Sequence, residues 1–469
     1  MNLPNMLEAK KRSKKEVKTT SYFLDDKYVS IGKNKKYYLK TYGCQMNEHD
    51  SENIRAILES ASFTETEKLE EADLVLLNTC AIRENAHDKV FGLMGRIKHL
   101  KQSKNITAGI CGCMAQEEGV INEILDKYKY IDFVFGTHNI ENMLEIIYNS
   151  MIKNEKQIEV YSIEGNIVEN MPAKRDSKYK AWVNIMLGCD KFCTYCIVPY
   201  TRGKQRSRTK ESIIEEIKTL IKDGYKEVTL LGQNVNAYGK DLYEDYNLSD
   251  LLKDVSNLNI ERIRFVTSHP WDFTDEMINV IKERENVMPY VHLPVQSGSN
   301  RILKLMGRRY TKEEYLKLFN KIKQEVKNVC ITTDIIVGFP TETKEDFNET
   351  LDLVNTCKFD GAFTFIYSPR ESTPAARMEQ LPIDVKKKRL QKLNKLVNEY
   401  SNKSNQKFLN KIVKVLIEGK SDKGENMYMG YTENMKLVNA YSDKNIIGEI
   451  VEVKITEAKS FSLNGEVIK

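Results

Sequence analysis

The sequence predicts an α/β protein in three parts: a doubly wound N-terminal parallel-sheet domain, an open partial (β/α)6 barrel and a small C-terminal all-β barrel. Three observations carry this. Between residues 37 and about 150, short apolar runs alternate with stretches of helical periodicity. A second alternating block runs from 181 to about 370. Past about 405 the pattern changes to short strands separated by turn signals.

Taken in order, residues 1–35 are polar and basic and are expected to form a flexible, loosely attached extension. In the first domain, 36–152, the expected strands are YYLKTYG, DLVLLNT, NITAGIC and IDFVFG. The segments NEHDSENIRAILES, ENAHDKVFGLMGRIKHL and QEEGVINEILDKY between them carry helical patterning. Strands joined through helices run parallel, with helices on both faces of the sheet. Residues 151–178 are polar and irregular, and NMPAKRDSKYK reads as a linker. The barrel domain, 175–405, offers AWVNIML, EVTLLG, RIRFVTS, PYVHLP, CITTDIIVG and AFTFIYS as strands. These six β/α units fall short of the eight, in about 250 residues, that close a barrel, so this one is expected to stay open. Residues 383–403 read as one basic amphipathic helix, with Val385, Leu390, Leu393, Val397 and Tyr400 able to share a face. The last domain, 406–469, has strand candidates KIVKVLIEG, MYMGYTE, MKLVNAY and IIGEIVEVKITEA.

Composition narrows the function classes. Hydrophobic residues make up 41% and charged residues 30%, an ordinary globular balance. No apolar run approaches the roughly 18 residues of a membrane helix, and the N-terminus is charged, so a cytoplasmic protein without membrane attachment is expected. Nine cysteines in a long chain argue against a secreted disulfide framework and for thiols that serve metal or chemistry. The net charge of +5 says little, but residues 386–407 set eight Lys or Arg against Glu399 alone. Neither G-x-G-x-x-G after a strand nor G-x4-G-K-[ST] is present, which removes the usual phosphate cradles.

The chemistry concentrates in LGCDKFCTYCIVPYTRG, where Cys189, Cys193 and Cys196 are spaced C-x3-C-x2-C. Structural zinc usually takes four ligands in two pairs, and no second pair follows. An iron–sulfur cubane has four irons, so three thiolates leave one iron open. Following the first barrel strand, this loop belongs at the carboxyl-end mouth, where barrel active sites lie. Cys44, Cys80 and Cys113 each end a predicted strand, and in a parallel sheet they emerge at one edge. Singly, each is a small buried hydrophobe; three at equivalent strand ends favour a shared metal site. Cys111 lies two residues before Cys113, and the spacing does not choose between them. Core packing is the default for Cys330 and Cys357.

With Tyr195 before its last cysteine, the C-x3-C-x2-C loop resembles the radical S-adenosylmethionine superfamily. That resemblance implies that the open iron chelates S-adenosylmethionine, whose reductive cleavage gives a 5′-deoxyadenosyl radical, with Tyr195 near the adenine. The motifs KTYGCQMNEHDSE, LNTCAIRENA, CGCMAQE, HLPVQSGS, TDIIVGFPTET and SPRESTPAA narrow it to the radical S-adenosylmethionine methylthiotransferase family. The likeness runs from about 37 to the C-terminus, whose barrel looks like a TRAM module, and is nearest the subgroup acting on tRNA isopentenyladenosine. It implies two 4Fe–4S clusters, an auxiliary one on Cys44, Cys80 and Cys113 and a radical one on Cys189, Cys193 and Cys196. The GC-x-A-Q pattern selects Cys113 over Cys111. It further implies S-adenosylmethionine as cofactor, a one-electron reductant, and tRNA carrying N6-isopentenyladenosine as partner, methylthiolated at C2 of the base beside the anticodon. Sister subgroups act on threonylcarbamoyladenosine in tRNA or on a ribosomal-protein aspartate; a non-catalytic, metal-stabilised RNA-binding protein is the reading from another class. The family often has glycine where Thr341 and Ser372 stand here.

Beyond the cluster ligands no catalytic side chain is assigned. Tyr195, Gln296 and Ser297 are the cofactor-binding candidates, and His292, Asn234 and Asn236 lie at strand ends of the same mouth. Arg202, Lys204, Arg206 and Arg208 form either a solvated charged loop or a phosphate-contacting rim. Tyr428 and Tyr431 are equally candidates for RNA contact and for packing.

Overall fold

The computed structural model describes residues 18–81, 84–160 and 167–468. The first half of the predicted N-terminal extension, residues 1–17, and part of the LNTCAIRENA motif, residues 82 and 83, lie outside the described residues. Residues 18–35 correct the expectation of a loose extension. β1 (Thr19–Ser21) pairs with a strand of the interdomain segment, and Tyr28 and Ile31 are buried in the core of the first domain. Tyr22 and Leu24 pack against the same core, so a few apolar side chains and one strand pair anchor a polar stretch.

The N-terminal sheet contains β2 (Lys36–Tyr42), β3 (Thr64–Glu65), β4 (Leu74–Thr79), β5 (Thr107–Gly112), β6 (Phe133–Phe135) and β7 (Gln157–Glu159). Their order is β3-β2-β4-β5-β6-β7, all parallel. β4 shows why the sheet is doubly wound. Leu74 and Leu76 pack under the helices Gln45–Ser60 and Met143–Met151, whereas Val75 and Leu77 face Glu84–Leu100 and Glu118–Lys127. Alternation along one strand thus feeds two separate cores. The partner of β1 is β8 (Ile167–Glu169), which leads into the next domain.

That domain opens with β9 (Lys180–Asn184), followed by the short antiparallel pair β10 (Met186–Leu187) and β11 (Arg206–Ser207) that frames the cysteine loop. β12 (Glu227–Leu231) and β13 (Arg262–Phe265) complete a parallel sheet in the order β13-β12-β9. β14 (Tyr290–His292), β15 (Cys330–Val337) and β16 (Gly361–Ile366) form a second one, joined to the first through the parallel bridge Ile263–Val287. All six predicted strands are present, and the half-barrel stays open between β9 and β16. One core, from Val183 on β9 to Phe359 before β16, glues the helices to its outer face.

The helix Ile383–Gln406 packs Leu393 and Val397 into that core, with Leu390 and Tyr400 beside them. It hands the chain to a closed barrel of β17 (Ile412–Lys420), β18 (Met427–Thr432), β19 (Leu437–Tyr441), β20 (Ile450–Ala458) and β21 (Leu463–Val467), in the order β17-β18-β19-β21-β20. The last strand was missed in the sequence because its Asn464-Gly465 reads as a turn. Gly465 is needed there for close approach: a Cβ would lie 2.4 Å from the Lys454 carbonyl oxygen. Arg262 and Arg264 of β13 donate to the carbonyls of Tyr431, Lys414, Glu433 and Thr432, and Asn434 donates to those of Pro289 and Asn328. These partners hold the small barrel against the amino ends of the half-barrel strands. Among the described residues no helix is long and apolar enough to cross a membrane.

Candidate functional site at the junction of two cysteine trios

The auxiliary trio is built by strand register. Tyr42, Thr79 and Gly112 are direct neighbours across β2, β4 and β5, so the three strands end level. Cys44, Cys80 and Cys113 follow at once and share the carboxyl edge of the sheet. The Cys80 amide donates to the Tyr42 carbonyl at 2.9 Å. Gly112, at φ +95°, makes the exit of β5 possible, because a Cβ would lie 2.4 Å from Asn78 Oδ1 and 2.6 Å from the Thr79 carbonyl oxygen. Asn47 and Asn78, both fully buried, brace the edge: Asn47 Nδ2 donates to Asn78 Oδ1 at 3.2 Å, and Asn78 Nδ2 to the Asn47 carbonyl at 2.8 Å. The Cys44 thiol is 3.4 Å from Asn47 Oδ1 and is hydrogen-bonded to Cys80. Cys111 packs into the core with Phe133 and Phe135, where burial raises its thiol pKa well above the ordinary value. Cys113 instead packs against Ala81, Ile197 and Tyr200 at the junction with the half-barrel.

The radical trio is local. Gly188 enters the loop at φ +73°, and a Cβ there would meet the Lys204 carbonyl oxygen at 1.9 Å. The Cys189 amide donates to the Gly203 carbonyl, the Cys196 amide to that of Cys193, and Thr194 Oγ1 to that of Leu305 at 2.7 Å. The loop is therefore pinned to the far side of the mouth as well as to its own ends. Lys191, inside it, is paired with the buried Asp272 at 2.7 Å, and Asp272 also holds Lys240 and Asn234. The half-exposed Trp271 lies under Lys191 at 4.5 Å and Arg309 at 5.2 Å from the ring centroid.

Each trio carries one buried arginine. Arg308 donates from Nη1 to Cys193 Sγ and to the Tyr195 hydroxyl, both at 3.5 Å, and from Nη2 to the Pro294 carbonyl. Arg202 donates from Nε to Cys113 Sγ at 3.2 Å and from Nη2 to Asp50 Oδ2 at 2.6 Å. This corrects the solvated reading of the basic run after Cys196 at its three arginines. Arg202 and Arg206 are buried, Arg206 donating to the Arg202 carbonyl, and Arg208 is paired with Glu216 at 2.7 Å. These three are not a solvated face; all of them line the cavity between the first domain and the half-barrel. Removing one member of a buried pair of this kind costs about 3–5 kcal/mol.

The protonation pattern follows from these partners. The hydrogen bond to Cys80, opposed by burial and helped by the Arg202 charge, brings Cys44 down to about 5. Burial pushes Cys113 up to about 11 despite Arg202. Burial and then the charge of Cys193 push Cys196 up to about 12, and burial raises Cys189 as well. Three thiols with a cation on one sulfur, at each of two places, have the donor chemistry of a thiolate-ligated cluster, whose sulfurs take hydrogen bonds from outside the ligand set.

The structure gathers the other candidates unevenly. Tyr195 is half-buried, edge-on to Phe339 at 6.5 Å. Gln296, at φ +72°, bonds through its backbone to Asp334 and Ile336 of β15, and its buried Oε1 has no hydrogen-bond partner within the protein. Ser297 turns the other way, toward Thr350 of the helix Lys344–Cys357. His292 faces the barrel interior, 3.0 Å from Thr332 Oγ1 and 3.3 Å from Asp334. Asn236 is occupied by the His269 amide and Met277. Tyr428 belongs to the core of the small barrel, while Tyr431 lies under Lys180 at 5.4 Å. Sequence reasoning missed Arg308, Asp272 and Asp50. The one signal was the unbroken polar run NEHDSEN after Cys44, most of which proves buried.

Comparison with known proteins agrees with this organisation. Residues 36–136 match the uncharacterized protein family UPF0004, 183–354 the radical SAM superfamily and 406–468 the TRAM domain. A tRNA-2-methylthio-N(6)-dimethylallyladenosine synthase of Staphylococcus epidermidis is 53% identical over 99% of this chain and 91% of its own. The enzyme of that name from Staphylococcus haemolyticus is 53% identical over 98% of this chain and 91% of its own. Among solved structures, the radical S-adenosylmethionine methyltransferase TsrM of Kitasatospora setae superposes with a TM-score of 0.54 at 13% identity, covering 73% of this chain and 77% of that one, a likeness of fold. Identity of this extent, over a chain that matches all three domain models, places it in the radical S-adenosylmethionine methylthiotransferase family.

Proposed function

We propose that the protein is a tRNA-2-methylthio-N6-dimethylallyladenosine synthase, adding a methylthio group at C2 of the isopentenylated adenosine beside the anticodon. The observation that carries this is the packing of Cys113 against Ile197 and Tyr200, just past the C-x3-C-x2-C loop, within a chain 53% identical to enzymes of that name along nearly its whole length. In this reading Cys44, Cys80 and Cys113 hold an auxiliary 4Fe–4S cluster and Cys189, Cys193 and Cys196 a radical one. Bound there with S-adenosylmethionine and supplied by a one-electron reductant, they bring the radical and sulfur chemistry that an unactivated aromatic C–H bond requires.

The protein's own part is orientation and exclusion of water. Arg308 holds Cys193 and Tyr195 of the cysteine loop to the Pro294 carbonyl, so the loop keeps one geometry against the far side of the mouth. Gln296 presents a buried acceptor oxygen without a protein partner, suited to a donor on the cofactor. Asp272 ties Lys191 down and leaves the exposed indole of Trp271 beside two cations, a surface on which a loop nucleotide can stack. The TRAM-like barrel and the lysine-rich helix Ile383–Gln406 supply further RNA contact, since neutralising phosphates dominates such affinity. The adenosine lies in a loop, where bases can be splayed out to reach a catalytic group.

The test is anaerobic turnover after reconstitution with iron and sulfide, using S-adenosylmethionine, a strong reductant and tRNA with or without the isopentenyl group. Mass spectrometry follows 5′-deoxyadenosine and the digested nucleosides. 2-Methylthio-N6-isopentenyladenosine, formed only when the tRNA carries the isopentenyl group, is the expected result. Cofactor cleavage without that product redirects the assignment to threonylcarbamoyladenosine or a protein aspartate; neither product, with iron bound, returns it to RNA binding alone.

A further inference from the structure

We propose that Arg202 is a positioning residue for the auxiliary trio, setting from the barrel side of the junction the reduction potential of the iron–sulfur group held there. This rests on the assignment of Cys44, Cys80 and Cys113 as ligands.

Arg202 lies six residues after Cys196, in the loop that carries the radical trio, yet its guanidinium crosses the junction to a sulfur of the other domain. It has no freedom to do otherwise. Its amide donates to the Val198 carbonyl at 2.8 Å, its carbonyl accepts from Arg206, and only 4% of the residue is exposed. One arm of the fork meets Cys113 Sγ and the other Asp50, on the helix that begins directly after Cys44.

A simple tether between domains would need only the Asp50 arm, and Thr137 Oγ1 already bonds across the junction to the Thr201 carbonyl at 2.6 Å. The Nε contact to sulfur goes beyond tethering. An N–H donor and a positive charge on a ligand sulfur both favour the more negative, reduced state of an iron–sulfur group. Burial leaves little water to screen them. Asp50 opposes the effect from the next shell of charge, so the potential reflects a balance between the two residues.

The balance gives a sign test. In the full chain bearing Cys189→Ala, Cys193→Ala and Cys196→Ala, the auxiliary group alone contributes an electron paramagnetic resonance signal, and its potential can be titrated after reconstitution with iron and sulfide. Arg202→Gln is expected to make the group at least tenfold harder to reduce, about 59 mV for one electron. Asp50→Asn, which leaves the cation less compensated, is expected to move the potential the opposite way. Arg202→Lys, which keeps the charge, should stay near the parent. An iron-loaded Arg202→Gln protein with an unmoved potential overturns the proposal, as do shifts of one sign in Arg202→Gln and Asp50→Asn. Should Arg202→Gln lose its iron, the direction of the Asp50→Asn shift decides. A parent that binds no iron overturns the ligand assignment itself, a failure distinct from that of Arg202.

Discussion

The two cysteine trios solve one problem by opposite routes. Cys189, Cys193 and Cys196 lie within a single loop, and its backbone hydrogen bonds set their spacing. Cys44, Cys80 and Cys113 are scattered over 70 residues and meet only because β2, β4 and β5 are parallel and end level. The first site is written in local sequence; the second is a product of topology. Damage to the N-terminal sheet should therefore reach only the second, while the first depends on the mouth of the half-barrel.

Single ligands give the largest contrast. Cys193→Ala should abolish S-adenosylmethionine cleavage, whereas Cys80→Ala should lose methylthiolation and keep cleavage, each variant retaining about four irons per chain. Full product from either would break the comparison. Next come the glycines that shape each entrance. Gly112→Ala, strained by φ +95° and by contact with Thr79, should cost about 2 kcal/mol or more and deplete iron at the auxiliary trio alone. Gly188→Ala, against the Lys204 carbonyl, should deplete only the radical trio. Iron analysis with 5′-deoxyadenosine assays separates the two.

Acid stability sharpens the comparison further. Lys191, Lys240 and Asn234 outweigh burial and hold Asp272 down to about 2. A depressed carboxylate contributes stability above its unfolded pKa near 3.9, and that contribution fades as pH falls toward the folded value. Asp272 braces the radical loop, so Asp272→Asn should remove about 2 kcal/mol of the fall in unfolding free energy between about pH 4 and pH 2, as denaturant titrations at each pH would show. The smallest effect is expected outside both sites. Thr341 and Ser372 adopt φ +64° and +72°, a region glycine enters freely. Thr341→Gly should leave stability unchanged or raise it by about 0.5 kcal/mol, as calorimetry would show, with both clusters intact.

What was legible in the sequence follows the same division. Pattern located the four central strands of the first sheet, the six of the half-barrel and four of the five in the small barrel: buried parallel strands read as short apolar runs between helices, and the small barrel as short strands between turn signals. The strand-end positions of the auxiliary cysteines were also readable, given a parallel sheet. The partners of Arg202, Arg206 and Arg208 were not. A basic run looks solvated unless the acids that bury it are known; Asp50 belongs to a distant segment, and Glu216, on the very next helix, was not recognised as a partner of Arg208. The direction of Ser297 was hidden for a related reason: consecutive residues at a strand end point opposite ways, so Gln296 stays beside β15 and Ser297 Oγ turns to Thr350. Tyr28 and Ile31 were too sparse a signal to mark residues 18–35 as attached.

The docking of the small barrel has a consequence of scale. It is bolted to the amino ends of the half-barrel strands, while the cysteine loop lies at their carboxyl ends. β15, with its eight residues, separates those ends by about 26 Å at roughly 3.3 Å per residue. An RNA gripped by the small barrel while it offers a base to the mouth must bridge that interval, so the molecule is a caliper of fixed opening. A lone nucleoside, however well it fits the mouth, cannot close it.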